Sequence, residues 1–382
     1  MDANGVLTRG VESILPSKEG LEKLMSSRRI KIYQGFDPSM PSLHLGHLAG
    51  LIKLRQFQKL GHEVIFLIGD FTGMIGDPTD KVTTRKKLSR EDVLKNAEKW
   101  KEQIGRILAF EGDNPAKILY NSEWNDKKTF KDLIEITSTF TIQQLIERDM
   151  YQKRLKSNEP IYLHEFLYPV AQAIDSIEMD VDLEIGGSDQ IFNMLAGRSL
   201  MRTLKSKEKY ILATKLLVDK EGNKVGKTTG NALFFDTIPE EFYAGIMSFP
   251  DEVTLAGFEL LTELDLSGLE EKIKNNPMEE KKGLAFQVVK GFWDEESAKR
   301  AQENFERIFQ ERKPEYNTQV EAKDSLATTI APYTSLGSIS EAKRLIGAGA
   351  VEVGGKVVKD TNYKPQAEDE IKVGKKTFLK VK

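Results

Sequence analysis

The spacing of apolar residues divides the chain into a first part that alternates strands with helices and a second part that is mainly helical. In the first 235 residues, short β-rich runs alternate with segments of helical periodicity. Val64–Phe71 is almost continuously apolar, which is typical of a strand buried on both faces of a parallel sheet. The other predicted strands are Lys31–Phe36, Ile118–Asn121, Leu183–Ile185 and Tyr210–Val218. This alternation predicts an open α/β sheet, whose ligands bind at the carboxyl ends of the strands.

A turn and a long helix follow the first of these strands. Asp37–Ser42 contains two prolines, which cannot continue a strand. The next segment predicts a helix from about Leu43 to Leu60, with Ser42 as its N-cap and Gly61 as its stop.

Helical periodicity dominates from about Pro239 to Gln310, and a small mixed module follows. The predicted helices are Leu269–Asn275, Met278–Gly291 and Glu295–Arg312, and the polar stretch Lys313–Asp324 is predicted to be a linker. The predicted elements of the tail are a helix at Glu341–Gly347 and strands at Ala350–Val353, Glu370–Val373 and Lys376–Val381. Residues 331–382 carry ten Lys and Arg against six Asp and Glu, so the tail is a candidate for binding a polyanion such as RNA.

Composition narrows the class of protein. The chain has 382 residues, of which 39% are apolar and 30% charged, with a formal net charge of −3. It has no cysteine, which excludes disulfides, thiolate metal sites, Fe–S clusters and cysteine nucleophiles. The N-terminal segment lacks the apolar core of a secretory signal, and no apolar run approaches the ~20 residues of a membrane span. We therefore expect a soluble, cytoplasmic protein of two or three domains that does not bind membranes.

Two histidines stand where the first predicted strand leads into its helix. In His44–His47 (HLGH) the imidazoles are three residues apart, and the N-terminus of a helix attracts anions. This pattern indicates a phosphate site, and a helix start with two exposed histidines is the alternative. The spacing also suits zinc, but the sequence offers no third ligand, and no metal site is predicted.

A glycine-rich loop at Gly222–Thr228 resembles a phosphate-binding P-loop without matching it. A P-loop has four residues between its glycines, whereas this segment has three and does not lead into an apolar helix. The two lysines, Lys224 and Lys227, suit a polyphosphate. A solvated hairpin turn is the alternative.

Three further polar groups fall at strand ends or along one helix face. Gly69–Pro78 and Gly186–Gln190 follow predicted strands and combine glycines with polar side chains. Tyr168, Gln172 and Asp175 fall at positions i, i+4 and i+7, so they share one face of a helix. Structural turns and a solvated helix face are the corresponding alternatives.

Taken in order along the chain, these motifs resemble those of the bacterial-type tyrosyl-tRNA synthetases, a family of class I aminoacyl-tRNA synthetases. His44–His47 matches the family's HIGH motif with Leu in place of Ile, and Lys224–Thr228 matches its KMSKS motif as KVGKT. The resemblance runs from about Arg29 to the C-terminus. It implies a Rossmann-like catalytic domain (residues 1–235), a helical domain with a linker (236–323) and an S4-like RNA-binding domain (331–382).

The resemblance also implies an activity and its partners. Members of the family activate tyrosine with ATP and Mg²⁺ and transfer it to the 3′ end of their tRNA. The resemblance also implies that the protein is a homodimer. The tyrosine carboxylate is already ionised at neutral pH, so its attack on the α-phosphate needs positioning and no general base.

The resemblance assigns roles to individual residues of this chain. Tyr33 and Asp175 are expected to bind the phenol hydroxyl of tyrosine. Residues expected to hold the ammonium group or lie near the carboxylate are Thr72, Asp77, Tyr168, Gln172 and Gln190. Residues expected to contact ATP are Asp37 (alternatively a turn cap), Ser39, His44, Gly46, His47, Gly187, Asp189 and Lys227. The catalytic set is His44, His47 and the residues around the departing pyrophosphate, Lys81, Arg85, Lys224, Lys227 and Thr228. The candidate tRNA-binding residues are Lys343, Arg344 and Lys356.

Three other functions compete with this interpretation. A synthetase for tryptophan is the nearest, and the hydroxyl-binding pair Tyr33 and Asp175 favours tyrosine. A small-molecule nucleotidyltransferase can share the HxGH helix start, but the KVGKT loop and the S4-like tail argue against it. A catalytically inactive RNA-binding relative is the third, and it is disfavoured because the polar residues expected in the active site are all present in this sequence.

Substitution of Lys227 tests the loop. We predict that Lys227→Ala lowers the rate of amino-acid activation by about 10²–10³-fold, because one donor to the charge developing on the phosphates is lost. Tyrosine binding without ATP is expected to change little. Pre-steady-state activation measures the effect, with Lys220→Ala, outside the KVGKT motif, as the control. A near-normal rate in Lys227→Ala would favour the hairpin alternative.

Overall fold

A computed structural model describes residues 2–79, 88–226, 232–310, 316, 318–334, 336–374 and 377–382. Lys81, Arg85, Lys227 and Thr228, to which the sequence assigns site roles, lie outside these residues. The chain forms two compact units, Met1–Gln302 and Glu303–Lys382. The predicted boundary at residue 235 stays a prediction.

The first unit is built on a mixed sheet that, within the described residues, has six strands. They are β1 (Val11–Leu15), β2 (Lys31–Phe36), β3 (Glu63–Ile68), β4 (Lys117–Tyr120), β5 (Leu183–Gly187) and β6 (Tyr210–Thr214). Their order across the sheet is β1-β6-β5-β2-β3-β4. Strands β2 to β6 run parallel to one another, and β1 pairs antiparallel with β6 at the edge. The predicted open α/β sheet is confirmed, whereas the edge strand β1 was not predicted.

Helices cover the sheet and form the region that follows it. Those that begin in the first unit are α1 (Ala3–Val6), α2 (Lys18–Ser27), α3 (Leu45–Lys59), α4 (Thr72–Ile75), α5 (Arg90–Ala97), α6 (Trp100–Ile104), α7 (Ser122–Asn125), α8 (Phe130–Thr137), α9 (Ile142–Ile146), α10 (Asp149–Lys156), α11 (Leu167–Met179), α12 (Ile191–Lys205), α13 (Pro239–Met247), α14 (Thr254–Leu261), α15 (Leu269–Asn275), α16 (Pro277–Phe292) and α17 (Glu295–Phe305). The division between the two units falls within α17.

The strand order reverses between β2 and β5, and this reversal determines where a ligand can bind. From β2 the chain proceeds through β3 and β4 on one side, and it returns to β5 and β6 on the other. The connections therefore leave a crevice at the carboxyl ends of β2 and β5, which is where ligands of open parallel sheets bind.

Aromatic packing extends from the core to this crevice. Phe36 on β2 stacks on Phe66 of β3 with 4.4 Å between ring centroids, and Phe66 meets Trp100 edge-to-face at 6.3 Å. Burying each such side chain contributes roughly 1.5–3 kcal/mol. Phe36 also touches the ring of His47 at 5.7 Å, so the hydrophobic core supports a predicted site residue directly.

The helix after β2 begins two residues later than predicted. His44 is the N-cap of α3, and its Nδ1 accepts a hydrogen bond from Gly46 N at 3.1 Å. The predicted cap, Ser42, instead accepts from the Gln103 amide at 3.1 Å and is buried. The prediction of Ser42 is wrong because an imidazole nitrogen can take the role that serine usually has.

The second unit has its own sheet and core. In the described residues its strands are β7 (Thr318–Val320), β8 (Val351–Val353), β9 (Lys356–Val357), β10 (Glu370–Val373) and β11 (Thr377–Val381), in the order β7-β11-β10-β8-β9. Its helices are α18 (Leu326–Ile330) and α19 (Ile339–Gly347). Apolar side chains from both helices and from the sheet form one buried cluster, which includes Ile330, Ile346 and Ile371. The predicted small α+β tail is confirmed.

Among the described residues, none of the helices has the length and apolar character that a membrane crossing requires.

A buried ion pair beside the start of α11 provides a test of this packing. The Arg154 guanidinium donates to both oxygens of Glu165 at 2.6 and 2.9 Å, and both side chains are almost fully buried. Arg154→Met is expected to lower the free energy of unfolding by about 3–5 kcal/mol, because it leaves the Glu165 carboxylate buried without its cation. Urea unfolding measures the loss. Lys131→Ala, which breaks an exposed pair, is the control and is expected to cost less than about 1 kcal/mol. Equal effects of the two variants would contradict the prediction.

Candidate active site

A cavity of about 310 Å³ lies at the carboxyl ends of β2 and β5. Fifteen of the predicted site residues line it: Tyr33, Asp37, Ser39, His44, Gly46, His47, Thr72, Asp77, Tyr168, Gln172, Asp175, Gly187, Asp189, Gln190 and Lys224. Residues far apart in sequence therefore meet in one place. The roles assigned to them individually stay predictions.

Asp175 lies near the middle of α11 with its carboxylate held by three side-chain donors. Trp124 Nε1 donates to Oδ1 at 2.8 Å, Asn125 Nδ2 donates to the same oxygen at 3.2 Å, and Asn121 Nδ2 donates to Oδ2 at 3.2 Å. Burial raises the pKa of Asp175 well above its usual value, and the three donors oppose this rise because they stabilise the charged form. A carboxylate has about four acceptor positions, so it can accept a further donor from the cavity.

Tyr33 presents a hydroxyl to the same cavity from β2. Its Oη lies 3.0 Å from Ser176 Oγ, and the side chain is almost fully buried. Burial, and then the nearby carboxylates of Glu184 and Asp175, raise the pKa of Tyr33 well above its usual value. The phenol therefore stays protonated. A protonated phenol and a carboxylate in one cavity suit a ligand hydroxyl, which can both accept and donate.

Asp37 joins two of the residues predicted to hold an ammonium group. Thr72 Oγ1 donates to Asp37 Oδ1 at 2.6 Å, and Tyr168 Oη donates to Asp37 Oδ2 at 2.8 Å. A Cβ at Gly69 would lie 2.0 Å from Asp37 Oδ1, so glycine is required for this arrangement. The structure thus groups Asp37, predicted as an ATP contact, with Thr72 and Tyr168.

Two further amides are held by carboxylates at the cavity wall. Gln172 Nε2 donates to Glu184 Oε1 at 2.8 Å, and Gln190 Nε2 donates to Asp77 Oδ2 at 2.8 Å. Asn193 holds Gln190 from behind, since its Nδ2 donates to Gln190 Oε1 at 2.9 Å. The orientation of both amides is therefore defined.

The start of α3 forms the opposite wall. The rings of His44 and His47 stack with 3.9 Å between centroids, and His44 N donates to His47 Nδ1 at 3.1 Å. Both Nδ1 atoms thus accept backbone N–H groups at the positive end of a helix. As for the zinc alternative, the described residues contain no group of three or more His, Cys, Asp or Glu that could hold a metal ion.

The first lysine of the KVGKT segment reaches the cavity. Lys224 Nζ forms an ion pair with Asp189 Oδ2 at 2.6 Å, and Val218 and Lys224 form an isolated antiparallel bridge. The ion pair connects this segment to the loop after β5. The hairpin geometry and the position beside the cavity are both present, so the two interpretations of this segment are compatible.

Sequence reasoning missed several residues that shape the cavity. They are Asn121, Trp124, Asn125, Ser176, Glu184 and Lys209. Gln34 lines the cavity, and its Oε1 is buried with no hydrogen-bond partner among the described residues. The sequence signal that could have found the others is weak, since an Asn or Lys beside a strand end has many roles.

The three cations predicted to contact RNA lie in the second unit. Lys343 and Arg344 lie on α19 and Lys356 on β9, and all three are exposed. Arg344 also pairs with Glu341 of the same helix at 2.7 Å. Their role stays a prediction.

Comparison with known families identifies the class of protein that this sheet, cavity and helix start define. The model of the class I tRNA synthetases for tryptophan and tyrosine matches residues 25–310, and the S4 domain model matches residues 335–371. The chain therefore belongs to the class I tRNA synthetases of this family. The prediction of the family and of its fold is confirmed.

Individual relatives narrow the comparison to one amino acid. The chain is 40% identical to the tyrosine–tRNA ligase of Aquifex aeolicus, covering 98% of this chain and 97% of that protein. It is 39% identical to the tyrosine–tRNA ligase of Haemophilus influenzae, covering 100% of this chain and 98% of that protein. Among solved structures, a C-terminally truncated mitochondrial tyrosyl-tRNA synthetase of Aspergillus nidulans shares the fold with a TM-score of 0.67 at 21% identity, covering 80% of this chain and 93% of that one.

Proposed function

We propose that this protein activates L-tyrosine with ATP, forming tyrosyl-adenylate and pyrophosphate, and transfers the tyrosyl group to the 3′-terminal ribose of its tRNA. The relatives named above are ligases of this kind. Their similarity extends over nearly the whole chain, including both compact units.

The single observation that carries the choice of tyrosine is the placement of Tyr33 and Asp175 in one cavity. The phenol hydroxyl of a bound tyrosine would accept from the Tyr33 hydroxyl and donate to the Asp175 carboxylate. The indole of tryptophan offers a donor but no acceptor, so it would not accept from the Tyr33 hydroxyl. The hydrogen bond that it cannot form contributes about 0.5–1.5 kcal/mol.

The carboxylates of the cavity suit the other end of the substrate. Asp37 and Asp77 line the cavity, and an ammonium group gains most from acceptors in a site shielded from water. Tyr168 and Gln172 are held by Asp37 and Glu184, respectively, which presets their orientation before the substrate arrives. We assign the ammonium group of tyrosine to this side of the cavity.

The helix start and the KVGKT segment suit the phosphates of ATP. The N-terminus of α3, with His44 and His47, is the anion-binding end of a helix. Lys224, which forms the ion pair with Asp189, also lines the cavity. In the reaction, a carboxylate oxygen of tyrosine attacks the α-phosphate, and the bond from the α-phosphate to the bridging oxygen breaks. The released electron pair leaves on pyrophosphate, where cationic donors stabilise it.

Mg²⁺ is proposed to enter as part of the nucleotide substrate. The described residues offer no cluster of ligands for a resident metal ion, and Mg²⁺ is usually bound by substrate phosphates and water with one or two carboxylates. When bound, it supplies charge neutralisation on the phosphates.

We also propose a cytoplasmic homodimer. Charging of tRNA takes place where tRNA and ATP are available, and a chain without cysteine suits a reducing compartment. Phe130, Ile142 and Leu163 are large apolar residues that are 72–79% exposed in one chain. Exposed apolar surface of this kind marks interaction sites, and a second copy of the chain is the partner that the family resemblance implies.

Exchange of radiolabelled pyrophosphate into ATP tests the proposed activity. The purified protein is expected to support exchange with tyrosine and Mg²⁺, and not with tryptophan or phenylalanine at equal concentration. Exchange with tryptophan alone would overturn the specificity, and no exchange with any amino acid would overturn the enzymatic function.

Asp175 is predicted to select for the hydroxyl. Asp175→Ala should lower kcat/KM for tyrosine by about 100-fold or more, because a hydrogen bond to a charged group is lost, and should affect phenylalanine far less. A site that pairs a substrate hydroxyl rejects the analogue without it by about 10⁴–10⁵, a value taken over from tyrosyl-tRNA synthetases themselves. Glu178→Ala, an exposed carboxylate one turn further along α11, is the control. Equal losses for the two amino acids would remove Asp175 from the phenol site.

The second compact unit is predicted to bind tRNA. A chain ending at Gln302 should retain most tyrosyl-adenylate formation but lose tRNA charging, since the cations of the tail are absent. Binding of tRNA to the full chain should weaken as salt rises, because contacts to phosphate dominate. Both half-reactions are measured at two salt concentrations after circular dichroism has established that the shortened chain is folded. Unchanged charging would contradict an RNA-binding role.

The proposed dimer is tested by sedimentation. Analytical ultracentrifugation at micromolar concentration is expected to give twice the mass of one chain. Ile142→Asp should shift the protein towards the monomer, because it places a charge on the apolar surface, whereas Lys131→Ala, at a polar exposed position, should not. A monomeric unsubstituted protein would contradict the proposal.

A further inference from the structure

A fully buried lysine lies behind the tyrosine pocket, outside the residues that the proposed function uses. Lys209 precedes β6, and its side chain has no exposed surface. Its ammonium group donates to Ser176 Oγ at 2.8 Å, to Met194 O at 3.2 Å and to Glu184 Oε2. An ammonium group has three donors, so each of them is used.

Gly197 on α12 leaves space for the ammonium group of Lys209. A Cβ at Gly197 on α12 would lie 2.5 Å from Lys209 Nζ and 2.8 Å from Ser176 Oγ. The close packing of α11 and α12 therefore depends on a glycine opposite the ammonium. This arrangement holds Ser176 between Lys209 and Tyr33.

The chemistry of these groups determines the direction of the hydrogen bonds. Lys209 can only donate, so Ser176 Oγ accepts from it with one lone pair. The Ser176 hydroxyl has one proton, and its other side-chain neighbour within hydrogen-bond distance among the described residues is Tyr33 Oη at 3.0 Å. Ser176 therefore donates to Tyr33.

The hydroxyl proton of Tyr33 can then be donated to a ligand in the cavity. Its hydroxyl accepts from Ser176, and the raised pKa described above keeps the proton in place. In the absence of a ligand, Glu184 accepts from Tyr33 as well as from Lys209 and Gln172. A ligand hydroxyl beside Tyr33 and Asp175 would replace Glu184 as the acceptor of the Tyr33 proton.

We propose that Lys209 and Ser176 are positioning residues that fix the Tyr33 hydroxyl as a donor to the substrate phenol. The inference rests on the proposed function, because it concerns how that site recognises tyrosine. The complete series runs from Lys209 to Ser176, Tyr33, the substrate hydroxyl and Asp175, and each hydroxyl accepts one hydrogen bond and donates one. Phenylalanine interrupts the series, because it has no hydroxyl to accept from Tyr33 or to donate to Asp175.

Ser176→Ala tests the series while keeping the Lys209–Glu184 ion pair. Pyrophosphate exchange is measured with tyrosine and with phenylalanine on the full chain. We expect kcat/KM for tyrosine to fall about 10- to 100-fold, with a threefold or smaller change for phenylalanine, so that the ratio of the two falls at least tenfold. Ser297→Ala, which changes a buried serine of the helical region, is the control and should leave the ratio unchanged.

The outcomes are distinguishable. A purely structural role for Ser176 would lower both values equally or leave both unchanged, and either result would overturn the inference. If Ser176→Ala does not fold, as judged by circular dichroism, Ser176→Cys preserves the volume and carries the same expectation, since a thiol is a weak donor and acceptor. Failure of the unsubstituted protein to activate tyrosine would instead overturn the proposed function, and this inference with it.

Discussion

The site depends on compensating the negative charge of carboxylates that are buried in the wall of the cavity, among them Asp175 and Glu184. Moving a carboxylate out of water costs several kcal/mol unless donors replace its hydration. Here three N–H donors surround Asp175, two hydroxyls hold Asp37, and Lys209 pairs with Glu184. The same donors also fix the direction of each carboxylate, so the cavity is organised before any substrate enters it. The helices and strands around it provide those donors from distant parts of the chain.

Much of the fold could be predicted because its signals are local. The apolar run at Val64–Phe71 indicated a buried parallel strand, and the structure has β3 at Glu63–Ile68. The edge strand β1 was missed because an antiparallel edge carries a weaker apolar pattern than a central strand. Ser42 was predicted as the N-cap because serine is among the residues most often found there. The structure uses the His44 imidazole, which the sequence rules for caps do not anticipate.

The site could be predicted in part for the same reason. Glycine and histidine motifs, such as His44–His47 and Gly186–Gln190, are contiguous in sequence and mark strand ends. Lys209 and Ser176 belong to no such motif, and they meet across 33 residues of sequence. Their contact follows from the packing of α11 against α12 and the position of β6, which a single sequence does not reveal. Recognition of the substrate thus depends on tertiary contacts that motif analysis cannot find.

The paired histidines at the start of α3 have a consequence for tautomers. Because Nδ1 of His44 and Nδ1 of His47 both accept backbone N–H groups, the proton of each neutral ring is on Nε2. Each ring can then offer only a donor on its outer edge, which suits phosphate oxygens. Protonation at Nδ1 would remove an acceptor from the helix start. The two hydrogen bonds to Nδ1 therefore couple the conformation of the first turn of α3 to the protonation state of the two rings.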